Sequence, residues 1–360
     1  MMRNLMGCAV ALAVIACGSD DSGSGPANKD AGSGGTGGGG GAASGGTAGV
    51  AGASGGGGSA GNSGSGGSAG VDAGPSGPKV DRSESKLYSF EFKPDAADPQ
   101  AKTVLGTQLG YLDTSVEPKG LLVVYLHGAG TPSTCGSKTH GQLLAGYGFH
   151  VFSPCYESGY GIGNCDKDIG GCRLEAFEGV DHHSFIDVKP PDSIETRVVK
   201  GLEYLASQNT HGDWTYFVTG GKPRWDRIVI SGISHGASTS GVIAKNRLVH
   251  RAVMLSGPLD TGQAWLTGSS LTSADKLWGF SHSGDSQHSG HLAAFEALTL
   301  PGAATSIDGA APPYGASHRL ITSASTSDGH SSTQAGGASP KQGSNWVFED
   351  AWKTLYGVTP

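Results

Sequence analysis

Residues 227–236 read Arg-Ile-Val-Ile-Ser-Gly-Ile-Ser-His-Gly, so that an apolar stretch runs directly into a glycine-flanked turn. Consecutive apolar residues predict a strand that is covered on both faces of a sheet, and residues 234–247 predict a helix after it. A sharp turn between the two elements needs small residues at positions 232 and 236. We therefore expect the hydroxyl of Ser234 to point into solvent at the amino end of the helix.

The Gly-x-Ser-x-Gly pattern alone is weak evidence in a chain that contains 63 glycines. Three other matches, centred on Ser54, Ser59 and Ser68, lie in a glycine-rich segment and reflect its composition. Ser234 differs from them because it follows an apolar strand and opens a helix, the context in which such a turn presents a nucleophile. The alternative interpretation is a glycine-rich turn at an ordinary helix start.

Strand and helix patterns alternate along the chain from residue 87 onward. Besides residues 227–230, strands are predicted at 87–92, 107–112, 120–126, 149–153, 252–255, 277–280 and 320–322. Besides residues 234–247, helices are predicted at 192–208, 291–298 and 346–356, the first with Asp192 and Glu195 as a capping box. The pattern predicts an α/β fold with a mainly parallel central sheet and helices on both faces.

A second glycine-rich turn, His127-Gly-Ala-Gly130, follows the most apolar predicted strand. Backbone N–H groups in such a turn can face outward, and an acyl-transfer enzyme needs donors of this kind where the tetrahedral oxyanion forms. We expect the amides of Ala129 and Gly130 to act together with the amide of His235, the residue after the serine. The alternative is a strand-end loop that contains a histidine by chance.

The two turns together resemble those of the α/β-hydrolase superfamily, and the resemblance covers most of residues 86–357. It implies the α/β-hydrolase fold and a triad in the chain order serine, acid, histidine. Asp285 follows the second strand beyond Ser234, and His330 follows the last strand. By this resemblance Ser234 is the nucleophile, His330 the general base and Asp285 the residue that orients the base, with no metal or organic cofactor.

Other residues compete for the acid and histidine positions. Asp260 follows the preceding strand, where a minority of the superfamily carries its acid, and His288 and His318 are alternative histidines. Two clusters are also candidate metal sites: His282, Asp285, His288 and His291, and the run Asp181, His182 and His183. A metal in the first cluster would leave the serine turn unexplained, and the second is interpreted as surface decoration or part of a substrate cleft.

The resemblance implies a serine hydrolase that acts on small or polymeric carboxylic esters through an acyl-enzyme. A peptidase of the same fold and a non-catalytic surface binding protein are the alternatives. Residues 155–191 form an unusually long connection, similar to a strand-end insertion that shapes a substrate site. The net charge of −7, without a basic stripe, disfavours a nucleic-acid partner. The natural substrate and the oligomeric state stay open.

Residues 1–17 are typical of an export signal, with Arg3 followed by an apolar run too short to span a bilayer. The sequence Val14-Ile-Ala-Cys17 resembles a bacterial lipobox, which implies a signal peptide at residues 1–16, lipidation of Cys17 and an outer-membrane anchor. A secretory signal that ends in cysteine by chance, or an apolar start without function, is the alternative. Residues 17–78 hold 26 of the 63 glycines and predict a flexible tether with a reach of about 45 Å.

Residues 79–360 remain for one α/β-hydrolase domain, a length that suits a single large domain of this class. This domain contains four cysteines, Cys135, Cys155, Cys165 and Cys172. An even number in an exported chain favours disulfides and allows three pairings. The short spacing favours Cys165 with Cys172, which leaves Cys135 with Cys155. A zinc site is the alternative, although no Cys-x-x-Cys pair is present.

Overall fold

The computed structural model describes residues 77–359, and a nine-stranded sheet forms the centre of this part. The strands are β1 Leu87–Phe92, β2 Gln108–Asp113, β3 Leu122–Leu126, β4 His150–Ser153, β5 Ile228–Ile233, β6 Arg251–Leu255, β7 Leu277–His282, β8 Thr305–Ser306 and β9 Arg319–Thr322. Their order across the sheet is β1-β2-β4-β3-β5-β6-β7-β9-β8. Strand β2 runs opposite to the other eight, which are parallel to one another. The predicted signal peptide, Cys17 and nearly all of the tether lie outside the described residues.

Helices cover both faces of this sheet. They are α1 Pro94–Ala97, α2 Lys138–Gly146, α3 Ile169–Glu178, α4 Ile194–Gln208, α5 His235–Asn246, α6 His288–Ala297 and α7 Glu349–Tyr356. Alternate residues of β3 belong to two separate cores: Val124 packs with α4 and α5, whereas Val123 packs with α2 and α7. The predicted α/β class, with a mainly parallel sheet between two helical layers, is confirmed.

Short elements complete the described part of the chain. The 3-10 turns are Pro190–Asp192, Thr210–Gly212, Trp214–Phe217, Trp225–Arg227, Ala264–Leu266, Ala274–Lys276, Tyr314–Ala316 and Ser331–Thr333. Two-strand ribbons pair Val218–Thr219 with Lys222–Pro223 and Lys341–Gln342 with Asn345–Trp346. The last helix therefore begins at Glu349 and not at Trp346, because Trp346 belongs to a ribbon.

The amino end of α4 differs from the predicted capping box. The cap is Ser193, whose hydroxyl accepts a hydrogen bond from the amide of Thr196. Asp192 instead pairs with Arg197 at 2.7 Å and accepts hydrogen bonds from two backbone amides of the segment before β2. The capping box was wrong because Asp192 is engaged by residues about 90 positions away in the sequence.

The insertion between β4 and α4 contains the helix α3, which the sequence pattern did not predict. Asp168 caps this helix by accepting a hydrogen bond from the amide of Gly171, and Gly179 ends it in a left-handed conformation. Its buried residues include the charged Arg173 and Glu175, so the apolar periodicity that marks a buried helix is interrupted.

Both favoured disulfides, Cys135 with Cys155 and Cys165 with Cys172, are present. The first joins the loop before α2 to the loop after β4, and the second ties the first turn of α3 to the preceding loop. Disulfides are typical of an oxidising, exported environment. Among the described helices, none has both the length and the apolar character that a membrane span requires.

A buried histidine connects α2 with α7. His140 is fully buried, and its Nδ1 accepts a hydrogen bond from the amide of Ala335. Its Nε2 lies 3.0 Å from the hydroxyl of Tyr356, which is 2.7 Å from the hydroxyl of Ser231 on β5. Nδ1 therefore carries no proton, and burial lowers the pKa of His140 to about 3.

We predict that this histidine makes the fold sensitive to mild acid. The unfolded chain binds a proton at His140 below pH 6.5 and the folded chain does so only near pH 3, so stability is lost as the pH falls below 6.5. The expected loss from this residue between pH 7 and pH 5 is about 2 kcal/mol. Between pH 7 and pH 5, the free energy of unfolding measured in urea should fall less for His140→Gln than for the wild type, and the difference should equal this amount. Equal losses in the two proteins would contradict the prediction.

Candidate active site

Ser234 lies in a strained turn between β5 and α5. Its φ of 58° and ψ of −119° are unusual for a residue with a side chain, and its amide donates a hydrogen bond to the carbonyl of Leu255 on β6. A Cβ atom at Gly232 would lie 2.6 Å from the carbonyl carbon of Gly236. At Gly236 it would lie 2.2 Å from the carbonyl oxygen of Leu126. Both flanking positions therefore require glycine.

Asp285 and His330 are in direct contact. They follow β7 and β9, two parallel neighbours in the sheet, and Nδ1 of His330 lies 2.7 Å from a carboxylate oxygen of Asp285. This bond keeps the proton of the neutral ring on Nδ1. Nε2 has no hydrogen-bond partner within residues 77–359 and is the nitrogen free to accept a proton.

The Asp285 carboxylate is buried and remains ionised. Burial raises the pKa of this carboxyl, but hydrogen bonds from His330 and from the amide of Gln287 outweigh that effect and hold the pKa below its ordinary value. The side chain of Asp285 is only 2% exposed, whereas that of His330 is 25% exposed. A buried anion therefore orients a histidine whose other side reaches the surface.

Ser234 and His330 meet the same short segment after β6. The hydroxyl of Ser256 donates a hydrogen bond to the backbone carbonyl of His330 at 2.7 Å. A Cβ atom at the next residue, Gly257, would lie 3.0 Å from the backbone oxygen of Ser234. The Ser234 hydroxyl itself has no hydrogen bond to any described residue, and such bonds are often long before a substrate binds.

The backbone amides near Ser234 divide into free and occupied groups. Those of Ala129 and His235 have no acceptor within the described part of the chain, whereas the amide of Gly130 donates to the carbonyl of Ser158 at 3.1 Å. We therefore correct the prediction for Gly130, because its N–H is already used to hold the loop. Gly128 lies against the serine, since a Cβ atom there would be 3.6 Å from the Cβ of Ser234.

A buried tyrosine, which the sequence pattern did not single out, joins the two turns. The hydroxyl of Tyr156 donates to the carbonyl of His127 at 2.8 Å and lies 3.1 Å from Nδ1 of His235. Burial lowers the pKa of His235 well below its ordinary value, and the charge of Arg173 adds to this effect. The His235 ring is therefore neutral and is held by Tyr156 beside the turn of residues 232–236, which we call the elbow.

The competing acid and histidines have other partners. Asp260 accepts two hydrogen bonds from Arg173 and none from His330. His288 contacts the hydroxyl of Ser281 through Nδ1. His318 contacts the carbonyl of Leu277 and stacks on Trp278. Asp260, His288 and His318 therefore take no part in the hydrogen bond that joins Asp285 to His330.

Neither histidine-rich cluster brings three potential ligand atoms of its own together within the described residues. Within residues 77–359, only Cys165, Cys172 and His183 bring three potential ligand atoms together, and the two cysteines are joined in a disulfide. The backbone amides of His182 and His183 both donate to the carboxylate of Glu175. Asp181 is exposed. The segment is therefore a turn organised by a glutamate of α3.

A serine elbow after one strand, followed by an acid and a histidine at later strand ends, is the arrangement that characterises α/β-hydrolases. This is an α/β-hydrolase fold. Neither the protein-family models nor the curated protein sequences gave a match to the chain. Solved structures that it matches at low similarity include serine hydrolases, esterases and peptidases.

Three of these structures illustrate the range. Fluorophosphonate-binding serine hydrolase F of Staphylococcus aureus, with substrate bound, is 13% identical over 67% of this chain and 91% of that chain, with a TM-score of 0.34. A feruloyl esterase module from Clostridium thermocellum, as a mutant complexed with sinapinate, is 12% identical over 78% and 89%, with a TM-score of 0.36. The acylaminoacyl peptidase of Pyrococcus horikoshii is 14% identical over 67% of this chain, with a TM-score of 0.31, and the match spans only 37% of its length.

We predict that Gly236→Ala disrupts the elbow. The added methyl would overlap the carbonyl groups of Leu126 and His127, which are backbone atoms of a buried strand and its loop. We expect the free energy of unfolding to fall by about 3 kcal/mol, as measured by urea denaturation. The matched control is Gly146→Ala at the end of α2, where nothing lies within 4 Å of the new methyl. A stability loss in the control as large as in Gly236→Ala would refute this explanation.

Proposed function

We propose that this protein is a serine hydrolase that cleaves carboxylic esters through an acyl-enzyme. The observation that carries the proposal is the 2.7 Å hydrogen bond between Asp285 and His330, at the end of the sheet where the elbow presents Ser234. A serine hydroxyl becomes a nucleophile when a histidine takes its proton, and a buried carboxylate helps by holding that histidine in one tautomer.

In the proposed mechanism, Nε2 of His330 takes the proton of the Ser234 hydroxyl as its oxygen attacks the ester carbonyl. The carbonyl oxygen becomes negative in the tetrahedral intermediate and accepts hydrogen bonds from the amides of Ala129 and His235. His330 then donates its proton to the departing alcohol. His330 then takes a proton from a water molecule that attacks the acyl-enzyme carbonyl, and it returns this proton to the oxygen of Ser234 as the acid is released. Asp285 stabilises the positive ring in both halves.

A cavity beside the oxyanion loop supports a role for the insertion in holding substrate. It has a volume of about 240 Å³ and is lined by Thr103, Glu157, Gly159, Tyr160, Phe185, Ile186, Asp187 and Val188. Ser158 lies in the same loop and hydrogen-bonds both Gly128 and Gly130. We assign this cavity to the acyl or alcohol part of an ester.

We predict that a fluorophosphonate probe labels the protein covalently and that Ser234→Ala abolishes labelling. The same substitution should remove hydrolysis of p-nitrophenyl esters, because in the proposed mechanism the acyl-enzyme forms on the Ser234 hydroxyl. A chelator should leave the activity unchanged. A panel of esters and peptide amides, assayed in parallel, measures whether an ester or a peptide bond is preferred.

Asp285→Asn provides a second readout. The amide would favour the wrong tautomer of His330, so kcat should fall by roughly 10⁴-fold while the serine stays in place. Hydrolysis that survives in Ser234→Ala but is lost with a chelator would indicate a metal-dependent enzyme. A folded protein that neither labels nor hydrolyses would indicate the non-catalytic binding protein.

We further propose that the protein is exported and anchored to the outer membrane through lipid on Cys17. The two disulfides of the folded part support an oxidising compartment. We predict that the wild-type protein becomes labelled when its bacterial host is fed an alkyne fatty acid. Cys17→Ser should abolish this labelling without loss of ester hydrolysis by the folded domain. Equal labelling of both proteins would place the lipid elsewhere and contradict the proposal.

A further inference from the structure

Arg173 is a charged side chain buried directly beside the elbow, and the proposed mechanism does not use it. It lies on α3 in the insertion, immediately after the disulfide-bonded Cys172, and only 1% of its side chain is exposed. A guanidinium is costly to bury unless its donors are satisfied. Its contacts therefore indicate what the burial achieves.

The guanidinium group connects two parts of the site. Its Nε and Nη2 donate to the two carboxylate oxygens of Asp260 at 2.7 and 2.8 Å. Its Nη1 donates to the backbone carbonyl of His235 at 3.1 Å and to the hydroxyl of Thr239 at 2.9 Å. The Thr239 hydroxyl in turn donates to the same His235 carbonyl at 3.0 Å.

These contacts converge on the residue whose amide faces the reacting carbonyl in the proposed mechanism. The His235 ring is held by Tyr156, and its carbonyl is held by Arg173 and Thr239. Asp260 is fixed further by the indole N–H of Trp265 at 2.9 Å. The first turn of α5 is thereby fastened to Arg173 of α3, and Arg173 in turn is fastened to the loop after β6.

We propose that Arg173, braced by Asp260, is a positioning residue that keeps the amide of His235 aimed at the oxyanion. The inference rests on the proposed serine hydrolase function. A planar guanidinium supplies the fork of donors that this geometry needs, and a lysine ammonium does not reproduce it. The hydrogen bonds of Arg173 all go to protein groups, so in this proposal it acts through His235.

The chain offers a matched control for a purely structural role. Arg197 and Asp192 form a second buried pair at 2.7 Å, with side chains 2% and 8% exposed. The remaining donors of Arg197 reach the carbonyls of Thr103, Val104, Cys155 and Pro191, and none reaches the elbow. Arg197→Lys should therefore lower stability as Arg173→Lys does, without changing the chemistry at Ser234.

The test compares Arg173→Lys and Arg197→Lys in the full-length protein. Active sites are counted by stoichiometric fluorophosphonate labelling, so that misfolded molecules do not contribute. For Arg173→Lys we expect kcat per labelled site on p-nitrophenyl acetate to fall 10- to 100-fold with KM within twofold, since loss of one oxyanion donor costs about 10²- to 10³-fold. Inhibition by a trifluoromethyl ketone, which forms a tetrahedral oxyanion on the serine, should weaken by the same factor.

Thr239→Val serves as a second variant if Arg173→Lys does not fold. It removes the hydroxyl that Arg173 and His235 share and keeps the shape of the side chain, so we expect a smaller fall in kcat with KM unchanged. Arg197→Lys should keep the wild-type kcat per labelled site.

Three results would overturn the inference. A kcat per labelled site within twofold of wild type in both Arg173→Lys and Thr239→Val would leave the pair a structural role only. A rise in KM without a change in kcat would indicate substrate binding instead. An inert, unlabelled wild type would reject the proposed hydrolase and this inference with it, a result that the first two outcomes cannot mimic because they require an active wild type.

Discussion

The close approach of α5 to the end of β3 is the constraint on which the site depends. The carbonyl oxygens of Leu126 and His127 lie 2.2 and 2.6 Å from where a Cβ atom of Gly236 would be. No side chain fits at Gly236, and in the turn just before it Ser234 takes a positive φ. The burial of α5, whose first ten residues are all buried, offsets the strain. The same contact brings the loop of β3 beside the serine.

The insertion at residues 155–191 supports this strained turn from outside the sheet. It supplies Tyr156, which links the two turns, and Arg173, which holds the first turn of α5. Two of its charged side chains, Arg173 and Glu175, are buried and hydrogen-bonded, and a disulfide restrains α3 at its first turn. A segment that looks like a loop in composition therefore contributes buried contacts to the candidate site, and it also lines the neighbouring cavity.

The acid and the histidine depend on the sheet more than on their local sequence. Because β7 and β9 are parallel neighbours, the residues that follow them emerge at the same edge, and Asp285 meets His330 there. Ser256, at the end of β6 between that pair and the elbow, holds the backbone of His330. Parallel strand order thus converts a wide separation along the chain into a local cluster.

The sequence by itself determined the alternation of strands and helices and the turn within residues 227–247, because apolar runs and glycine spacing are local properties. The order of serine, acid and histidine was only what the family resemblance implied. Only the tertiary structure decided that the amide of Gly130 is occupied by Ser158 and that Asp260 pairs with Arg173. Each of these bonds joins residues separated by tens of positions. Which donor meets which acceptor is decided only when folding brings the two groups together and removes water from both.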